Sequence, residues 1–219
     1  MPLVTKFRSC CAIAFAAFLL SAPPARAEQV THQFTGQLTT ITDGSGGRLD
    51  LRSAFSLGDA VTLDYTIERD TPSSEQDTYT YGYTDGISQL SFSIGAWSGS
   101  GTPGYSLMTV TDNAPNPGNP ANLYDQNSAQ VQGGITAPDI AGSTLQSLTW
   151  TLDDVDGTVF ASKAIPRVFP DLGVFEGKTF TVLLFSFSEF KSGYVMATLS
   201  GVTTPAQQAS WGRLKALYR

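Results

Sequence analysis

Apolar and polar residues alternate along most of this chain in runs of five to ten residues. The clearest run sets Val61, Leu63, Tyr65 and Ile67 against Thr62, Asp64, Thr66 and Glu68. That period of two puts one face in a core and one in water, which predicts a half-buried strand. Glu28 to Thr42 reads the same way, with Val30, Phe34, Gly36 and Leu38 on one face. Tyr79, Tyr81 and Tyr83 alternate with Thr and Gly, and Leu90, Phe92 and Ile94 alternate with Ser91 and Ser93. Between them Asp85-Gly86 is the kind of dipeptide that closes a two-residue hairpin. Further strands are predicted at Tyr105–Thr111, at an edge over Tyr124–Val131, and at Leu148–Leu152.

One stretch departs from simple alternation. In Lys178–Phe187, Phe180, Val182 and Leu184 lie on one side and Leu183, Phe185 and Phe187 on the other. A strand that is apolar on both faces is expected at the centre of a sheet, covered front and back. After Glu189–Gly193 the chain returns as Tyr194–Leu199, so the pair predicts the hairpin around which the rest is arranged. Asp112–Asn122 holds Pro115, Pro117 and Pro120 and reads as a long exposed loop. Ile165–Phe175 holds Pro166 and Pro170 and reads as a crossing between sheets. With about nine or ten short strands and no long helix before Pro205, the expected fold is all-β. The expected form is an antiparallel two-sheet sandwich of jelly-roll type, with a closed barrel as the alternative.

The two ends stand outside this pattern. Lys6 and Arg8 precede the apolar run Cys10–Leu20, and Ala25-Arg26-Ala27 supplies small residues for cleavage. This is the layout of a secretory signal over residues 1–27, cut between Ala27 and Glu28. Eleven apolar residues are too few to cross ~30 Å of hydrocarbon. Residues 28–204 form the expected β domain, and 205–219 a linker with an amphipathic, short helical tail. In that tail Trp211, Leu214, Leu217 and Tyr218 fall near one helical face, among Arg213, Lys215 and Arg219, as in a sorting or recognition segment.

Charge and cysteine then narrow the function. Both cysteines lie in the signal, so the mature chain would have no disulfide and no thiolate chemistry. The signal takes three of the 13 basic residues and none of the 19 acidic ones. The remainder is acidic, which disfavours nucleic acid as a partner. One histidine, His32, excludes multi-histidine metal sites and most nucleophilic triads. No catalytic residue is assigned, and the chain is read as lacking catalytic activity.

Two constellations are candidates for binding. Asp153, Asp154 and Asp156 form the densest acidic cluster and could offer oxygen ligands to Ca2+, although an Asp-Gly turn already explains them. Tyr79, Tyr81 and Tyr83 could form a platform for sugar rings, or else line the core. A glycosidase pair of carboxylates is the remaining alternative, though nothing in the sequence selects one.

Several segments resemble exported proteins that carry a PEP-CTERM sorting tail in Gram-negative bacteria. They are Phe34-Thr35-Gly36-Gln37-Leu38, Phe55-Ser56-Leu57-Gly58-Asp59, Tyr83–Ile94 with Gly95, Ser192-Gly193-Tyr194 and Leu199-Ser200-Gly201. The resemblance implies a secreted or cell-surface β-sandwich linked to extracellular polysaccharide or biofilm matrix, and it transfers no catalytic residue. The Pro-Glu-Pro motif and apolar helix of that family are missing at Thr204-Pro205-Ala206. The expected protein is therefore a secreted structural or matrix-associated β-sandwich. Its alternatives are a carbohydrate-binding module, calcium-dependent or not, and a glycan-active hydrolase or lyase.

Overall fold

The computed structural model describes residues 28–44 and 49–203. Residues 1–27, read above as a secretory signal, and the tail over 205–219 lie outside the described residues. Twelve strands run in chain order as β1 (Gln29–Asp43), β2 (Ala60–Glu68), β3 (Ser73–Glu75), β4 (Thr80–Thr84), β5 (Ile87–Ile94) and β6 (Trp97–Gly101). They continue as β7 (Tyr105–Asn116), β8 (Asn119–Gln132), β9 (Ile135–Thr136), β10 (Thr144–Asp154), β11 (Gly177–Ser186) and β12 (Lys191–Thr203). Every pairing is antiparallel, and all twelve join one sheet in the order β3-β4-β7-β8-β10-β11-β12-β1-β2-β5-β6-β9. The fold is all-β, and no helix among the described residues is long and apolar enough to cross a membrane.

The sheet curls into a half-barrel. Three strands separate β2 from β10 in the sheet order. On a flat sheet those two would lie ~19 Å apart. Instead Tyr65 of β2 and Trp150 of β10 meet with ring centroids 4.7 Å apart. Phe92 of β5 faces Phe180 of β11 in the same way at 6.4 Å. The inward positions of the two arms, Phe34, Leu63, Tyr65, Phe92, Trp150, Phe180 and Val195 among them, make one continuous core.

Gly36 shows how close the strands come. It sits beside a register shift between β1 and β12, where a Cβ would lie 2.3 Å from the Thr198 carbonyl oxygen. Backbone on the other side cannot move aside as a flexible side chain would. Gly36→Ala is therefore expected to cost about 2 kcal/mol or more, read as a lower urea midpoint with an unchanged m-value. An unchanged midpoint would mean that the pairing is looser than described.

Several expectations require correction. Asp85-Gly86 is not a hairpin: β4 pairs with β3 and β7, whereas β5 pairs with β2 and β6. Asp85 does adopt the positive φ of 56° that the dipeptide favours, but it uses it to step from one arm of the sheet to the other. Ser106 fixes that step, accepting from the Asp85 N–H at 2.7 Å and donating its own N–H to the Asp85 carboxylate at 3.2 Å. Asp112–Asn122 is not a loop but the distal part of the β7–β8 hairpin, turning at Pro117-Gly118. The Asn116 carboxamide closes that turn by accepting the Gly118 N–H at 2.8 Å. Tyr124–Val131 belongs to a strand held between β7 and β10, not to an edge.

Residues 155–176 do not cross between sheets either, because they join β10 to its neighbour β11. They lie over the core instead, burying Phe160, Ile165, Phe169, Leu172 and Phe175. β11 is central, as its two apolar faces predict, but only its inner face is covered. Phe180, Val182 and Leu184 are buried, whereas outward Leu183 is 39% exposed and Phe187 beyond the strand end 65%.

Candidate functional site

The tyrosines at and just before β4 do not present one open face. Tyr83 is buried and its hydroxyl donates to the Lys163 carbonyl at 2.7 Å. Tyr81 is half-buried, with the Lys163 ammonium 4.0 Å from its ring centroid. Tyr79 is exposed and precedes the strand. The three thus step from core to surface under one lysine, which donates to the Thr78 carbonyl at 2.9 Å.

The acidic cluster is divided by the pleat. Asp153 points outward and accepts from the Gln126 side chain at 2.7 Å. Asp154 points inward and is buried, accepting the N–H groups of Thr158 at 2.8 Å and Val159 at 3.0 Å. Burial raises the Asp154 pKa, with the N–H bonds from Thr158 and Asp156 acting the other way. Asp156 is exposed, and a hydrogen bond from the Thr158 hydroxyl lowers its pKa, aided by the Asp154 side chain. Among the described residues no group of three or more His, Cys, Asp or Glu is placed to hold a metal ion.

Asp154 has a buried counterpart that the sequence reading passed over. Asp125 of β8 is its register partner and is also buried. Its two oxygens accept the N–H of Asn113 at 2.8 Å and of Phe160 at 2.7 Å. Alternation over Tyr124–Val131 was the available signal, because it places Asp125 and Asn127 on the same face as Ala129 and Val131. Both aspartates serve the loop after β10 by satisfying main-chain donors there. Such a role is structural.

His32 lies wholly inside, 4.8 Å from the Phe169 ring and 5.4 Å from Tyr65. Burial lowers its pKa to about 4, with a hydrogen bond to the Pro166 backbone acting the other way. It is neutral at pH 7 and enclosed by aromatic rings. The tail residues Trp211, Arg213, Leu214, Lys215, Tyr218 and Arg219 lie outside the described residues.

The surface that stands out is on the outer face of the central strands. Gln132, Gln146, Ser147, Leu183, Phe185 and Phe187 line an open groove of about 380 Å³. Phe185 and Phe187 meet edge to face at 4.8 Å, which holds one ring against the other. No ionisable side chain lines this groove, although the chain carries 19 acidic residues. Two rings, an aliphatic side chain, two amides and a hydroxyl can stack and hydrogen-bond, but they cannot donate or accept a proton near neutral pH. The chemistry offered is recognition. No family model, curated protein or solved structure matches this chain.

Proposed function

We propose that this chain is an exported, non-catalytic β protein that works outside the cytoplasm as a structural or matrix-associated component. The signal pattern of residues 1–27 supports export. The observation that carries the rest is the uncharged outer groove on an otherwise acidic molecule. Acidity keeps such a surface soluble and repels polyanions, while the groove leaves one neutral region for contact. The two arms of the curled sheet correspond, in this reading, to the two layers of a jelly-roll-type sandwich. Extracellular polysaccharide or other cell-surface material is the partner class, without a requirement for Ca2+.

Fractionation tests this directly. The full chain, expressed in a Gram-negative host, is expected to leave the cytoplasm with Glu28 as its new N-terminus. The mature protein is then expected to co-sediment with insoluble extracellular matrix. Retention in the cytoplasm with residues 1–27 intact, or failure to sediment, would refute the reading.

A further inference from the structure

Three residues of the groove, Gln132, Ser147 and Leu183, are the middle of a longer row that the strand register defines. Tyr105 of β7 pairs with Gln132 of β8, which pairs with Ser147 of β10. Ser147 pairs with Leu183 of β11, and Leu183 with Tyr194 of β12. Directly paired residues share a face, so these five form one row across the outside of the sheet. Four inter-strand steps give that row a length of ~19 Å. Tyr105, Leu183 and Tyr194 are all exposed.

The next row on the same face is Leu107, Gln130, Thr149, Thr181 and Met196. Neither row contains a charged side chain. At the adjacent hairpin tip, Lys191 and Glu189 pair with each other at 2.6 Å. Two uncharged rows spanning five strands make a neutral band on a chain of net charge −6.

We propose that the row Tyr105–Gln132–Ser147–Leu183–Tyr194 binds a neutral polysaccharide chain lying across the strands. This rests on the matrix-associated reading and names its ligand. A sugar ring has an apolar C–H face and a rim of hydroxyls. Tyrosine and phenylalanine rings match the face, and Gln132, Gln146 and Ser147 match the rim. A charged polymer would find no counter-charge along the row. A second copy of this chain is a poorer occupant, because specific dimers bury ~800 Å² per partner around a continuous apolar centre. Here the Gln132 amide and the Ser147 hydroxyl interrupt the apolar groups between Tyr105 and Leu183.

The test is affinity electrophoresis of residues 28–219 through gels containing hydroxyethyl cellulose, galactomannan or dextran, with alginate as the acidic control. At least one neutral polymer is expected to retard the protein, alginate is not, and chelator should change nothing. Tyr105→Ala and Tyr194→Ala should each weaken binding about tenfold, while Tyr79→Ala leaves it intact. Both positions are exposed, so urea midpoints close to the parent's will show that the variants fold. Retardation by none of the neutral polymers overturns the proposal, as does undiminished binding by the double variant. If the double variant still co-sediments with matrix, the row is not the site but the matrix reading survives. If the parent does not sediment, that reading falls independently of the row.

Discussion

Asp125→Ala is expected to be among the most damaging single changes in the protein, costing about 2–6 kcal/mol for two stranded donors. The carboxylate is fully buried, and each oxygen is committed to one main-chain donor. The Phe160 N–H belongs to the segment that covers the core. The Asn113 N–H lies in the irregular stretch of β7 between Thr111 and Ala114, where the register shifts. Alanine would strand both donors and leave a void beside Asp154. Asparagine keeps one acceptor but turns an amino group toward the other donor, so about half the loss should remain. Asp153→Ala is the contrast, because it removes one bond to Gln126 on the wet face and should cost ~1 kcal/mol or less. Urea unfolding of the three variants decides the matter. Equal losses for Asp125→Ala and Asp153→Ala would contradict the role given to the inward carboxylate.

The second large effect is a pH dependence owed to His32. Its pKa falls from 6.5 to about 4 on burial. Between those values the unfolded chain binds a proton that the folded chain refuses, so folding weakens as pH falls. The contribution is complete above pH 6.5 and lost as pH drops through that window toward about 4. It amounts to about 3 kcal/mol. Asp154 acts in the opposite direction, because its raised pKa favours the folded state as protons become available. The difference between parent and His32→Gln isolates the histidine. Unfolding free energies at pH 7 and pH 4.5 should fall steeply for the parent and less for the variant. Matching slopes would show that His32 is not responsible.

What the sequence made legible was mostly local. The alternation of Val61, Leu63, Tyr65 and Ile67 identified β2 and its inward face, because burial on one side imposes period two. The two-faced apolar run of β11 and its return through Tyr194 identified the central hairpin. What remained hidden depends on which strands meet. Asp85-Gly86 reports a sign of φ and not a destination. The strand β6, Trp97–Gly101, carries small residues because a Cβ at Gly99 would lie 2.7 Å from the Phe92 ring, and such a strand looks like a turn. Prolines in the distal hairpin of β7 and β8 suggested irregularity in a segment that is nevertheless paired.

The candidate site was hidden for the same reason. Tyr105 and Tyr194 are far apart in the chain and reach one row only through four successive pairings. Tyr79, Tyr81 and Tyr83 alternate within five residues and are easier to notice, yet their burial differs from one to the next. In sequence Leu183 and Phe187 read as covered, because large apolar side chains usually are. Their exposure shows that β11 is two-faced for two purposes: one face builds the core and the other meets the outside.

Hydroxyl-radical footprinting of the mature protein, free and bound to matrix polysaccharide, tests the central claim most directly. It reads the side chains of every candidate surface in one experiment. Oxidation of Tyr105, Leu183, Phe187 and Tyr194 should fall on binding, with Tyr79 and the Asp153–Asp156 turn unchanged. Protection at Tyr79 or at that turn, with the row still fully oxidised, would place the working surface elsewhere.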